Sequence, residues 1–143
     1  MTAIQRYGSG GPYEAVVGYS RLVVAGDQAW TAGCTAIVDG DVVGEGDANA
    51  QALAAFGVGL KALHRAGFGV ADVVQTRMYV VDVVAHAEAV GRAHAALFAD
   101  VRPASTMLGV AALIDSRLLV EVEIVAVRHV HSEPPGEPAG RSV

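Results

Sequence analysis

Three segments of this chain are apolar almost without a break: Val70–Val81, Thr106–Leu113 and Leu118–Val127. Successive side chains of a strand point to opposite faces, so strands apolar at nearly every position need a cover on both faces. Two stretches with helical spacing can supply one cover. The first follows Asp47, a good N-cap, carries Leu53, Phe56, Leu60 and Leu63 along one stripe, and stops at Gly67. Gly57 and Gly59 inside it each cost about 1 kcal/mol relative to alanine and suggest close packing on the sheet. The second covers roughly Ala85–Phe98, with Val90, Leu97 and Phe98 facing inward. Two helices cover one face; the other face must meet something else, and a partner subunit is the obvious candidate. Composition points the same way, because 52% hydrophobic and only 17% charged residues would leave a small monomer with large sticky patches.

The remaining chain reads as short strands and turns. Ala15–Val17 and Arg21–Val24 are β-prone, and Gly26-Asp27 turns the chain into Gln28–Cys34. Asp39-Gly40 between two valine-rich pairs is a two-residue hairpin turn, since both residues tolerate positive φ. Residues 1–12 read as an arm capped by a strand, residues 1–130 as a single domain, and residues 131–143 as a disordered tail holding three of the five prolines.

Charge and motif content narrow the function classes. The net charge of −5 argues against a phosphate-backbone binder, so no nucleic-acid partner is expected. Apolar windows are too short to span a bilayer, and no signal peptide is visible. The single cysteine, Cys34, fits a reducing, cytoplasmic setting. His86 and His94 are too far apart for a metal pair, His129 and His131 form no zinc pattern, and no glycine-rich phosphate loop occurs. No metal and no cofactor are expected.

The segment of greatest chemical interest is the last strand. Glu121 and Glu123 lie two residues apart and therefore point to one side of a strand that is otherwise apolar. Either this is an edge strand with one wet face, or the carboxylates have partners or a task.

The order of motifs along the chain resembles the RidA family, also called YjgF or L-PSP endoribonuclease-like. The matching stretches are Gly11-Pro12-Tyr13-Glu14-Ala15, Trp30-Thr31-Ala32-Gly33-Cys34-Thr35, the helix from Gln51 to Gly67, Asp72-Val73-Val74-Gln75-Thr76-Arg77-Met78-Tyr79-Val80, and Arg102 to Val127. The resemblance covers roughly residues 7–129. It implies an α+β, chorismate-mutase-like fold: a mixed six-stranded sheet with two helices on one face, in a homotrimer around a central barrel with small-molecule sites at subunit clefts. It also implies hydrolysis of an enamine or imine, such as 2-aminoacrylate, to a ketone and ammonia. The ribonuclease name attached to the wider family finds no support in a chain this acidic.

Carried over residue by residue, the resemblance gives Glu121 the water-positioning role and Tyr13 a substrate-orienting one; the bland alternatives are a wet strand face and a packed aromatic. Ser105 falls where the family carries an arginine that clamps the substrate carboxylate, and a hydroxyl cannot replace two parallel charged hydrogen bonds. Gly109 replaces a glutamate, Val84 stands near a frequent asparagine, and Met107 stands where a small residue is common. The sequence Arg102-Pro103-Ala104-Ser105-Thr106-Met107 looks like the arginine-lacking subgroups of the wider family, for which 2-aminoacrylate deamination is not implied. Ser105, Thr106, Met107, Cys34 and Arg77 are the candidate substrate-binding residues. Arg77 either reaches the surface along its aliphatic stem or binds an anion, and Arg102 is either a solvated loop residue or a second cation at the cleft mouth. Cys34 has no local base, which favours a small buried hydrophobe over a nucleophile. Two function classes remain open: an enzyme acting on a reactive imine, enamine or related metabolite, with a biosynthetic tailoring role among its variants, or a non-catalytic trimer that binds a small molecule or contacts a partner protein.

Overall fold

In the computed structural model, which describes residues 2–129, nine strands and two long helices form an α+β domain. The tail expected over 131–143 lies outside the described residues. Strands β1 (Ile4–Tyr7), β2 (Leu22–Ala25) and β3 (Gln28–Thr31) make an antiparallel meander. The short β4 (Cys34–Thr35) and the hairpin β5 (Ile37–Val38) and β6 (Asp41–Val42) lead into helix α1 (Ala48–Arg65). Strand β7 (Val73–Val81), helix α2 (Val83–Phe98) and strand β8 (Ala104–Val110) form a crossover unit, so β7 and β8 run parallel. Strand β9 (Val120–Val127) then inserts between β3 and β7, antiparallel to both. The main sheet runs β1-β2-β3-β9-β7-β8, with β4 also pairing to β9. The expected six strands are that continuous path; β4 adds a seventh, pairing with β9 beyond the stretch that pairs with β3.

Both helices lie on one face. The β9 residues Val120, Val122, Ile124 and Ala126 point into the core beneath them, while Glu121, Glu123, Val125 and Val127 point to the open face. Phe56, Leu63, Phe68, Val90 and Phe98 complete the core, each 1% exposed or less. Burying a side chain of this size contributes roughly 1.5–3 kcal/mol. Gly59 allows α1 to approach the sheet, since a Cβ there would stand 2.8 Å from Ile124 Cδ1. Gly57 has no such role: the space around its α-carbon is open, and it faces the cleft described below.

The helix signals read from sequence hold. Asp47 caps α1 by accepting from the Ala50 amide at 3.0 Å, and α1 ends before Gly67, whose φ is +84°. The stripe is narrower than expected, because Leu53 is 38% exposed. Gln51 is fully buried inside α1 and pins it to two loops. Its amide donates to the carbonyls of Arg117 at 2.8 Å and Gly44 at 3.3 Å, and its oxygen accepts from the Leu119 amide at 2.7 Å. Helix α2 starts two residues earlier than the spacing indicates, directly after Asp82, whose left-handed backbone (φ +51°) makes the turn out of β7. Asp39 and Gly40 adopt positive φ at the tip of the β5–β6 hairpin, as their chemistry requires.

Four strand expectations need correction. Ala15–Val17 is not extended; Glu14–Gly18 forms one wide helical turn closed by the Tyr19 amide on the Glu14 carbonyl at 3.0 Å. The turn is fixed by Glu14, whose carboxylate also accepts from the Ser9 hydroxyl and the Ser9 and Gly11 amides. Residues 70–72 form a short 3₁₀ turn rather than strand, because the Asp72 carboxylate takes the Gly69 amide at 2.7 Å. The strand expected over Thr106–Leu113 is shifted back to 104–110, and the one expected from Leu118 begins at Val120.

Candidate functional site

The open end of the sheet, α1, the loop at residues 9–13 and the β5–β6 hairpin enclose a cleft of about 1190 Å³. Its polar wall is built around Gly33. The Arg21 guanidinium, presented just before β2, donates through Nη1 to the Gly33 carbonyl at 2.5 Å. Glu121, presented by β9 opposite Thr35, lays its carboxylate against the Gly33 α-carbon; a Cβ there would stand 2.5 Å from Oε2. A glycine is thus what allows the cation and the carboxylate to flank one peptide unit. Glu121 is half-buried, and that desolvation pushes its carboxyl up; the neighbouring Glu123 pushes the same way, and Arg21 pulls it back.

Tyr13 lines the same cleft and is 53% exposed, with its phenol unpaired among the described residues. It is held in place through its neighbour Glu14, whose carboxyl is drawn down mainly by the Ser9 hydroxyl and further by the Ser9 and Gly11 amides. Lys61 and Arg65 project from successive turns of α1 along the rim, and Arg117 closes the far side. Arg65 donates to the Gly8 carbonyl at 3.0 Å. Arg117 is committed to Asp115 through contacts of 2.8 and 3.1 Å, which hold the Asp115 carboxyl down at about 2. Lys61 is the chain's only lysine.

The residues singled out by sequence divide into groups. Glu121 and Tyr13 share this cleft. Cys34 does not reach it: the residue is 0% exposed, its thiol donates to the Ala32 carbonyl at 3.3 Å, and Sγ is 3.4 Å from where a Gly59 Cβ would be. Burial pushes that thiol up and Arg21 only partly offsets it, so Cys34 is a packing residue rather than a ligand contact or nucleophile. Within one chain Ser105, Thr106, Met107 and Arg77 also lie away from the cleft, because β7 separates β8 from β9 and the parallel register sets Ser105 beside Thr76, not beside Glu121. Ser105 and Met107 point toward the helix side, opposite Thr76 and Met78. The Ser105 hydroxyl accepts from Thr76 Oγ1 at 2.9 Å, which itself stands 2.7 Å from His94 Nε2. Burial lowers the pKa of that imidazole. Arg77 and Thr106 share the open face with Glu123, in one cross-strand row; the next row holds Leu108, Tyr79, Glu121 and Thr35. The neighbouring Glu123 carboxylate pushes the Tyr79 phenol up, and burial adds to the shift. Arg102 is exposed, with φ +54° at the entry to β8.

Sequence reasoning missed Arg21, Gly33 and Lys61 as cleft residues. A signal for Arg21 was available: it directly precedes Leu22, the first buried residue of β2, so its side chain lies on the opposite side from that core position. Among the described residues no cluster of three or more His, Cys, Asp or Glu could hold a metal, and no helix is long and apolar enough to cross a membrane.

The fold and sequence match known proteins over nearly the whole chain. An uncharacterized protein of Streptomyces coelicolor is 43% identical over 129 residues, 88% of this chain and 93% of that protein. The crystal structure of Rv2704 from Mycobacterium tuberculosis, a member of the YjgF/YER057c/UK114 family, superposes with a TM-score of 0.79 at 39% identity, covering 88% of this chain and all of that one. Escherichia coli TdcF, crystallised with bound serine, shares the fold with a TM-score of 0.70 at 22% identity, over 87% of this chain and 94% of TdcF. The model of the endoribonuclease L-PSP family matches residues 12–128. The chain therefore belongs to the endoribonuclease L-PSP family, the group also known as YjgF or Rid.

Proposed function

We propose that this chain is a Rid-type hydrolase that deaminates a small reactive imine or enamine in the cleft formed around Glu121. The carrying observation is the half-buried Glu121 carboxylate laid against Gly33, in the same cleft as Tyr13. A carboxylate whose pKa is raised by burial accepts a proton more readily than an ordinary surface one. In the reaction, Glu121 accepts a proton from a water whose oxygen bonds to the iminium carbon. Glu121 returns that proton to the carbinolamine nitrogen, the carbon–nitrogen bond breaks to release ammonia, and the hydroxyl proton passes to the freed Glu121 carboxylate as the carbonyl forms. An enamine is first protonated on carbon, which yields the same iminium. Tyr13 orients the ligand from the loop wall.

The open sheet face supports assembly as a homotrimer, the arrangement the family resemblance implies. It presents Trp30, Leu108 and Val74 at 39%, 50% and 44% exposure around two cross-strand pairs of half-buried residues, Arg77 with Glu123 and Tyr79 with Glu121. In such an assembly the edge strand β8 of one copy, with Ser105, Thr106 and Met107, faces the cleft of the next and supplies its remaining wall. TdcF holding serine is consistent with a small-molecule site on this fold.

A non-catalytic binding trimer is the second reading. It is favoured by Ser105, whose hydroxyl is engaged with Thr76 and offers no charge for an acid. Ammonia release measured with freshly generated 2-iminobutyrate, 2-aminoacrylate and neutral cyclic imines separates the two readings. Turnover of at least one, lost in Glu121→Gln, supports the hydrolase. Ligand-induced thermal stabilisation without conversion of any supports the binding trimer.

A further inference from the structure

We propose that Arg21 is the acid-binding residue of this chain: it grips the carboxylate of a small anionic ligand in the cleft, from the start of β2 rather than from β8. The inference rests on the functional reading of the cleft given above, and adds to it the ligand's charge and the residue that recognises it.

Four cations line the cleft, and their environments differ. Arg117 is saturated by Asp115. Arg65 is exposed and tied to the Gly8 carbonyl. Lys61 is an exposed point charge on α1. Only Arg21 is part-buried beside the candidate catalytic carboxylate, and a charge withdrawn from water interacts more strongly with an incoming anion.

The hydrogen bonds of Arg21 are also incomplete. Nη1 serves the Gly33 carbonyl, but Nε is buried without any partner. It is the only such side-chain atom among the described residues. A buried N–H without an acceptor costs roughly 1–3 kcal/mol, so its persistence calls for a reason. Nε and a terminal nitrogen form the planar edge that matches both oxygens of a carboxylate. The Tyr19 ring stands over the guanidinium at 5.7 Å from centroid to Cζ. Tyr19 lines the same cleft, is 37% exposed, and its hydroxyl has no hydrogen bond among the described residues, so it stands at the ligand's approach to the guanidinium.

The geometry also relates the anchor to the chemistry. Arg21 and Glu121 flank the same glycine, so a carboxylate on Arg21 sits one peptide unit from the group that activates water. In a 2-imino acid the reacting carbon is bonded directly to the carboxylate carbon, a spacing that matches so short a separation. The acid-gripping role lost at Ser105 is thereby supplied by a different strand, and the ligand class is the short-chain 2-imino or 2-oxo acids rather than neutral imines.

The test uses the full chain and isothermal titration calorimetry with 2-oxobutyrate, a stable mimic of the product, against 2-butanone, its counterpart without the acid. The expected result is millimolar or tighter binding of 2-oxobutyrate and at least about tenfold weaker binding of 2-butanone. Arg21→Met should lose at least about tenfold of the 2-oxobutyrate affinity, and Arg21→Lys, which keeps the charge without the fork, should lose part of it. Arg92→Met, on the exposed side of α2, should keep wild-type affinity. Should Arg21→Met fail to fold, Arg21→Lys alone decides. Equal affinity for the acid and the ketone overturns the proposal. So does wild-type affinity in the folded Arg21 variants, an equal loss in Arg92→Met, or no 2-oxobutyrate binding at about 20 mM. Acid binding that depends on Arg21, without hydrolysis of any imine, would sink the hydrolase reading and leave this proposal standing.

Discussion

The carboxylate of Glu121 occupies the space where residue 33 would carry a side chain, so the two positions are sterically coupled. A methyl group at position 33 would stand 2.5 Å from Oε2, 2.9 Å from Cδ and 3.3 Å from Cγ of Glu121. Gly33→Ala should therefore displace the carboxylate from its place beside Arg21. Overpacking of this kind typically costs about 1–3 kcal/mol, less here because one neighbour is a half-exposed side chain free to swing into the cleft. The variant should fold, lose about 0.5–1.5 kcal/mol in urea denaturation, and lose a larger factor in imine turnover than in ligand affinity relative to the wild type. Wild-type turnover in Gly33→Ala would dissociate the glycine from the placement of Glu121.

Glu121 also makes stability depend on pH. Burial raises its folded-state pKa above the ordinary 4.5, so between the two values the native state binds more protons than the unfolded one. Its contribution is present below the unfolded pKa and is lost as pH rises through the folded pKa. Glu121→Gln should therefore equal or trail the wild type at pH 4, and gain on it as pH climbs toward 7. The gain should be modest, up to about 1 kcal/mol, because the carboxyl is only half shielded from solvent. Urea midpoints of both proteins from pH 4 to 8 provide the comparison.

Gly59→Ala would bring a methyl group to 2.8 Å from Ile124 Cδ1, in the tightest part of the interface between α1 and the sheet. A loss of about 1–3 kcal/mol is expected despite alanine's better helix propensity. Ile124→Val removes the offending methyl, so the double variant should be more stable than the sum of the single losses. Strict additivity in the double-mutant cycle would show that the contact is not the cause.

Gln51→Leu keeps the volume and removes three hydrogen bonds, leaving the Leu119 amide and the Arg117 carbonyl without their partner, while the Gly44 carbonyl keeps the Asp47 amide at 2.9 Å. With each buried group costing roughly 1–3 kcal/mol, the loss should be at least about 2 kcal/mol. Amide exchange at Leu119 should accelerate more than exchange at Val122, because the start of β9 is released first. Equal acceleration at both would indicate only global destabilisation.

The expectations that held and those that failed differ in what sets them. Asp47, Gly67 and Asp39-Gly40 act through their own backbone or a side chain three residues away, so local chemistry suffices to place α1 and the first hairpin. The β-prone run Ala15–Val17 folds as a wide turn because Glu14 outside it captures the loop at Ser9 and Gly11, a fact no periodicity carries. Glu121 and Tyr13 were legible as residues of one cleft because each belongs to a recognisable motif. For Arg21 the sequence carried only its side of the sheet, opposite Leu22; its significance comes from Gly33 and Glu121, which meet it through the pairing of β4 with β9. Cys34 is buried, as its lack of a local base favours, and it stays out of the cleft although its neighbour Gly33 lines it, because alternation along the strand turns the thiol to the other side.

Lys61, the one lysine of the chain, stands on the rim of the cleft. Apart from the chain terminus, the molecule therefore offers an amine-reactive dye a single address, and that address overlooks the candidate site. A fluorophore attached there would sense the arrival of a ligand directly, turning a protein without a convenient chromogenic reaction into its own reporter.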